Sequence, residues 1–157
     1  RPFNTFGPRQ SQRAVIPTII HQILSNEKKI FLGDTKTTRD FNYVLDTCEA
    51  FYQCFKSEKT IGDVFNSSSG YEISIEDIVK NISTLMDAEI EIVQDKKRIR
   101  PVNSEVRRLV GSNAKLKKVT GWNPSNDGFK SLLVGIEKTI DWIKNYNFSN
   151  IKSGYSI

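Results

Sequence analysis

Apolar positions along this chain recur with two periods, and the period changes several times. In "AVIPTIIHQILSN", Val15, Ile16, Ile19, Ile20, Ile23 and Leu24 return at three- and four-residue intervals, the spacing of a helix with one buried face. Pro17 fits such a helix only near its start, where the missing N–H costs nothing. "KIFL" predicts a short strand ended by Gly33, and "DFNYV" predicts another, after which Asp46 is placed to cap the helix "TCEAFYQCFKS". "GDVFNS" reads as a strand closing in a Ser/Gly turn. Ser74 and Asp77 then stand at capping-box spacing ahead of an apolar stripe of Ile75, Ile78, Val79, Ile82, Leu85 and Met86. "EIEIVQ" alternates like a half-buried strand. "NAKLKKV" predicts a short helix stopping at Gly121. After Asn126 or Asp127 a long helix carries Phe129, Leu132, Leu133, Ile136, Ile140 and Ile143 on one face. The last residues, "NYNFSNIKSGYSI", are polar and predict a loose or docked tail. Strands interleaved with helices define an α/β class with short strands.

Length and composition narrow this picture. A chain of 157 residues suits one domain, and 38% hydrophobic with 26% charged residues describes a globular chain rather than a disordered one. No apolar run approaches the length of a membrane-spanning helix. Cys48 and Cys54 lie six residues apart with a single histidine, His21, far away in sequence. That spacing builds no zinc site and fits two buried thiols in a reducing cytosol better than a disulfide. A net charge of +5 favours anionic partners without choosing among nucleotide, nucleic acid and lipid surface.

Arginine is the residue type that carries candidate chemistry. Arg39 precedes "DFNYV" in a threonine-rich loop, and Arg100 precedes Pro101 just after a strand. The planar guanidinium matches phosphate oxygens in pairs, each charge-assisted bond contributing roughly 1.5–3 kcal/mol. A solvated basic loop is the plain alternative. Lys96, Lys97, Arg98, Arg100, Arg107 and Arg108 could form a nucleic-acid patch, but no aromatic platform interleaves with them and Glu105 interrupts them. Tyr52 and Lys56 show the four-residue spacing of a dehydrogenase Tyr–Lys pair. Beside Phe51 and Phe55 they read instead as a packed tyrosine with a surface lysine. His21 has no carboxylate or serine at a diagnostic spacing, and no Gly-x-Gly-x-x-Gly or P-loop occurs.

Six pieces in order carry a family likeness: "RPFNTFGPRQ" with "RAVIP", "LGDTKTTRDFNYVLDTCEAF", "VFNSSSGYEISI", "RIRPVNSEVRRLVGSNAKLKKVTGWNP" and "TIDW". Together they resemble the extended short-chain dehydrogenases that act on sugar nucleotides, the NAD-dependent epimerases and 4,6-dehydratases, over Arg1 to about Lys144. The "RP-x-x-SEV" and "GWNP" pieces look most like the dehydratase branch, and within it the legionaminic-acid-pathway sugar-nucleotide 4,6-dehydratases. The resemblance implies a Rossmann-type α/β fold of which residues 1–157 are the C-terminal half: the substrate-binding portion, with 1–8 and about 61–68 resembling strands of the nucleotide-binding sheet. The NAD-binding N-terminal half, with the glycine-rich turn and the catalytic Tyr–Lys pair, would lie outside this chain, which then holds no catalytic residue and is inactive alone. A strand near Asn4 without its sheet neighbours would leave residues 1–8 partly disordered or covered in an oligomer.

Carried over position by position, the resemblance assigns Pro2 and Phe3 to the nicotinamide end of NAD and Asn4 to the substrate diphosphate. Ala14 and Val15 would offer backbone groups to the nucleobase, with Phe31 and Leu32 flanking its plane. Arg39 and Arg100 would converge to clamp the diphosphate, and Glu105 would reach the ribose. Leu32 stands where some relatives carry an aromatic residue, and Asn103 and Ser104 depart from the dTDP-glucose pattern. The implied parent reaction oxidises the sugar at C4, loses water across C5 and C6 and returns hydride to C6, with NAD and without a metal. A nucleotide-sugar substrate, a cytoplasmic homodimer and a role in cell-surface polysaccharide synthesis go with it, and neither nucleic acid nor membrane. A 4-epimerase of the same family and a stand-alone anion or nucleic-acid module are the alternatives.

Overall fold

The computed structural model describes residues 1–25, 28–99 and 106–145. Eleven elements follow one another: β1 (Asn4–Phe6), α1 (Val15–Leu24), β2 (Lys29–Leu32), β3 (Thr38–Tyr43), α2 (Val44–Lys56), β4 (Glu72–Ser74), α3 (Ile75–Leu85), β5 (Glu91–Gln94), β6 (Arg108–Leu109), α4 (Ala114–Thr120) and α5 (Gly128–Asn145). β3 is the hub of a mixed sheet. Its second half pairs in parallel with β1, Asn4 opposite Phe41, while its first half lies between antiparallel β4 and parallel β6. A separate parallel pair joins β2 to β5, Ile30 opposite Ile92.

The periodic stripes found their partners. Ile16, Ile19, Ile20 and Ile23 of α1, Ile78, Val79 and Ile82 of α3, and Leu132, Ile136, Ile140 and Ile143 of α5 converge with Phe6, Ile30, Phe41 and Tyr43 in one core. Burial of such a side chain stabilises the fold by roughly 1.5–3 kcal/mol. Gly135 lets α5 approach β1 and β3, since a Cβ there would lie 2.7 Å from both Phe6 Cζ and Tyr43 Cδ2. A smaller cluster, Ala50, Phe65, Leu116 and Trp122, holds α2 to α4. The Ser74 cap is present: its hydroxyl accepts from the Asp77 N–H at 3.0 Å. α4 stops at Gly121 in left-handed conformation.

Several expectations need correction. α2 begins at Val44, so Asp46 falls in its first turn instead of capping it. Its carboxylate is buried and accepts from the Ser125 N–H at 2.9 Å and the Ser131 hydroxyl at 2.7 Å, tying α2 to the entrance of α5. "GDVFNS" forms no ladder. Only Ser67 pairs, in a single parallel bridge with Pro2, and just beyond it Ser69 and Gly70 turn their N–H groups onto the Asp40 carboxylate. β1 has β3 on one side, laid there as the chain returns through α1 and β2, and is the edge strand of its sheet on the other among the described residues. β4 and β6, three and two residues long, were too short to show a period. Phe129 is exposed against the Tyr71 ring, and Leu133 is only partly buried. Cys48 is an exposed free thiol and Cys54 a half-buried one. Phe51 and Phe55 do not pack Tyr52 into a core: all three side chains lie on the solvent side of α2, with Lys56 Nζ 5.3 Å from the Tyr52 ring centre. The tail from residue 146 lies outside the described residues.

Candidate nucleotide-sugar cleft

A cleft of about 440 Å3 opens where the start of β1, the C-terminal end of β2, the start of α1 and the middle of β3 meet. That volume is in the range of sites for small organic ligands. Asn4, Ala14, Val15, Leu32 and Arg39, five of the residues singled out from the sequence, line it together. Four different elements or their flanks deliver them. Asn4 opens β1, and its side-chain amide donates to the Asp40 carbonyl at 3.1 Å. Ala14 precedes α1 without supplying a side-chain cap. Val15 and Ile16, whose backbone N–H groups open that helix, border the cleft, and a helix start presents such donors to anions.

Arg39 is half-buried on β3, and its guanidinium donates to the Thr38 carbonyl at 2.8 Å. Two further arginines, Arg13 and Arg98, share the lining with it, against the single carboxylate of Asp34 among the described residues. Arg98 is brought in by a close approach: a Cβ on Gly33 would lie 2.6 Å from the Arg98 carbonyl oxygen, so only glycine lets the end of β2 meet the short 3-10 turn at Lys96–Arg98. The Asp95 carboxylate holds the Arg98 guanidinium at 3.3 Å. Gln10 also lines the cleft. Its amide donates to the Thr5 carbonyl at 2.9 Å, while its Oε1 is shielded and has no hydrogen-bond partner among the described residues.

Beneath the cleft lies a buried anion. Asp40, between Arg39 and Phe41, is fully enclosed. It accepts from the Ser69 N–H and hydroxyl at 2.9 and 2.7 Å, the Gly70 N–H at 3.0 Å and the Gly111 N–H at 3.1 Å. It thereby pins two loops to the strand that carries Arg39. At the other edge Arg108 donates twice to Glu72 at 2.8 Å, and that guanidinium holds the Glu72 carboxyl below its usual range. The basic run is thus dispersed, Arg98 facing the cleft and Arg108 bracketing β4.

Other sequence-derived assignments separate. Strand alternation turns the Phe31 side chain away from Leu32, into an adjoining depression with His21, Gln22 and Arg98. There the Phe31 N–H donates to Gln22 Oε1 at 2.8 Å. Burial lowers the His21 pKa. Pro2 is exposed and Phe3 packs toward Gly111 and Ser68; neither borders the cleft. Arg100, Asn103, Ser104 and Glu105 lie outside the described residues, so the convergence of Arg39 with Arg100 does too. Sequence reasoning passed over Gln10, Arg13 and Arg98. Gln10 sat unassigned within the quoted "GPRQ", and Arg98 in a charge run that showed no direction. Among the described residues no group of His, Cys, Asp or Glu side chains could hold a metal, and no helix is long and apolar enough to cross a membrane.

The solved structures on which this mixed α/β fold superposes are Rossmann-type extended short-chain dehydrogenases. Residues 1–133 match the family described as GDP-mannose 4,6 dehydratase, and the chain belongs to that family of NAD-dependent epimerases and dehydratases. It is 36% identical over 129 residues to GDP-6-deoxy-D-mannose reductase of Pseudomonas aeruginosa, covering 79% of this chain and 41% of that protein. It is 31% identical over 158 residues to human dTDP-D-glucose 4,6-dehydratase, covering 98% of this chain and 43% of that protein. UDP-glucuronic acid 4-epimerase of Bacillus cereus, solved with UDP-glucuronic acid and NAD, superposes with a TM-score of 0.79 at 25% identity over 92% of this chain and 44% of that one. The chain thus spans less than half the length of each.

Proposed function

We propose that this chain is the substrate-gripping portion of an NAD-dependent nucleotide-sugar 4,6-dehydratase, with most of the cofactor site supplied by sequence that its relatives carry and this chain does not span. The observation that carries the reading is the meeting of Asn4, Ala14, Val15, Leu32 and Arg39 in one cleft that also collects Arg13 and Arg98. Its cationic side suits a diphosphate, the Leu32 and Val15 wall suits a flat base, and Asn4 and Gln10 offer polar groups to hydroxyls. Arg100 and Glu105 belong to the proposal on the resemblance alone. The fit to NAD is partial: Pro2 is exposed, Phe3 turns toward Gly111, and the sequence has no glycine-rich pyrophosphate turn. NAD in the parent enzyme would supply the reversible hydride acceptor. The residues of this chain bind, orient and exclude water, which directs binding energy toward the reacting sugar without moving a proton.

Calorimetric titration with GDP, UDP and dTDP tests the reading. Saturable binding of at least one is expected, weakened about tenfold or more by Arg39→Gln. Absence of saturable binding of all three at millimolar concentration would refute it. A 4-epimerase is the second reading, favoured by the superposition on the Bacillus cereus enzyme. Product mass from the parent enzyme separates the two, since dehydration loses water and epimerisation does not.

A further inference from the structure

The polar side chains that line the cleft are mostly hydrogen-bond donors. Its three arginines among the described residues only donate, and its amide and hydroxyl groups donate as well as accept. Among the described residues Asp34 is the one lining side chain that only accepts. It is exposed and pairs with none of those arginines; its carboxylate contact is Oδ1 accepting from the Lys36 N–H at 2.9 Å. The loop that carries it is fastened. The Thr37 hydroxyl donates to the Asp34 carbonyl at 3.3 Å. The Thr35 and Thr37 carbonyls accept from the Glu76 and Ile75 N–H groups at 2.9 and 3.1 Å, where α3 begins. The carboxylate is thus set in place beforehand, with Oδ2 unengaged among the described residues.

We propose that Asp34 is a specificity-determining residue that reads the ribose: its carboxylate accepts the 2′- and 3′-hydroxyls, so the cleft prefers a ribonucleoside diphosphate to its 2′-deoxy form. The assignment rests on reading the cleft as a nucleotide-sugar site. Along the chain Asp34 stands between Leu32, on the wall that suits a base, and Arg39, on the cationic side that suits a diphosphate. The ribose occupies the same middle place in a nucleoside diphosphate. Its cis-diol offers two O–H donors side by side, and a carboxylate offers two oxygens with about four lone-pair sites, one of which the Lys36 N–H already uses. Bonds of this charge-assisted kind are roughly twice as strong as neutral ones. The cationic side of the cleft has no use for a carboxylate in holding phosphate, so the acceptor answers to a donor on the ligand. Glu105, which the family resemblance sends to the ribose, lies outside the described residues.

Calorimetric titration of the 157-residue chain with two matched pairs, GDP with dGDP and UDP with dUDP, isolates the ribose, since base and diphosphate are the same within each pair. In whichever pair binds, the ribose form should bind at least about tenfold more tightly than its 2′-deoxy partner. Asp34→Ala should bring that ratio to within about twofold by weakening the ribose form. Asp34→Asn keeps an oxygen for the Lys36 N–H but loses the charge; it should shrink the ratio to about threefold or less while Tm stays within about 2 °C of the parent. The direction of the change separates this role from that of a bystander charge. If Asp34 only opposed the arginines, removing it would tighten both members of a pair equally and leave the ratio unchanged, which overturns the proposal. An unchanged ratio because Glu105 alone reads the ribose overturns it equally. A ratio that falls only together with a Tm loss beyond about 6 °C in both variants makes Asp34 a brace of its loop, and also overturns it. Equal binding of ribose and deoxyribose forms by the parent chain removes this assignment and leaves the nucleotide-sugar reading standing. Absence of saturable binding of all four at millimolar concentration removes both.

Discussion

Removing the Asp40 carboxylate should unfasten the floor of the cleft. Asp40→Ala strands three backbone N–H donors, Ser69, Gly70 and Gly111, along with the Ser69 hydroxyl. A buried donor left without an acceptor costs about 1–3 kcal/mol, and water entering the vacated space recovers part of that. Taking each of the three N–H groups near the lower limit, with a little more for the lost charge assistance, gives about 3–5 kcal/mol. That is a large share of the 5–15 kcal/mol typical of a domain. Asp40→Asn keeps the shape and one carbonyl acceptor but turns an NH2 group toward N–H donors, and should lose about 2–3 kcal/mol. Ser69→Ala removes only the hydroxyl bond and should lose about 1 kcal/mol. Urea unfolding followed by the fluorescence of Trp122 and Trp142 and by far-ultraviolet circular dichroism measures all three. The argument fails if Asp40→Ala is no worse than Ser69→Ala, or if Asp40→Asn is indistinguishable from the parent. Since Arg39 and Phe41 flank Asp40 on β3 and line the cleft, Asp40→Asn should also weaken nucleotide binding at temperatures where it remains folded.

Two further outcomes can be checked on the same protein. Gly135→Ala gains about 1 kcal/mol of helix propensity, but its Cβ would meet Phe6 and Tyr43 at 2.7 Å; overpacking of about 1–3 kcal/mol should win, lowering Tm in a calorimetric scan. Burial holds the His21 pKa below its ordinary 6.5, so the folded state binds fewer protons than the unfolded one. Its contribution is fully present above pH 6.5 and lost as pH falls through the lowered folded value. His21→Gln should flatten stability against pH in that window in urea midpoints taken from pH 7.5 to 4.5, and an unchanged slope would exclude His21 as its source.

How much was legible in the sequence depended on range. The stripes of α1, α3 and α5 and the Ser74–Asp77 cap are local patterns and formed where the spacing predicted, except that Leu24 and Phe129 stand exposed at the ends of their stripes and Leu133 is only partly buried. The parallel β2–β5 pair came from strands that their own residues announced, although their partnership did not. Asp46 was misread because a carboxylate at a helix start can serve the helix or reach across to another element. Ser125 and Ser131, 79 and 85 residues away, decided that. Asp40 gave no signal, because what makes it structural is backbone N–H groups from two remote loops.

The cleft divides in the same way. Family likeness picked out Asn4, Ala14, Val15, Leu32 and Arg39 one at a time, and folding brought them to one place. Arg98 joined them because Gly33 permits a backbone contact across 65 positions, which no periodicity encodes, while alternation along β2 sent Phe31 to the other side. Hydrophobic spacing and caps are properties of neighbouring residues, so the order of residues dictates which elements form. Which side chains face one another across the cleft, and which apolar stripe of α2 is left uncovered, depends on how those elements pack, and packing is settled by the whole chain at once.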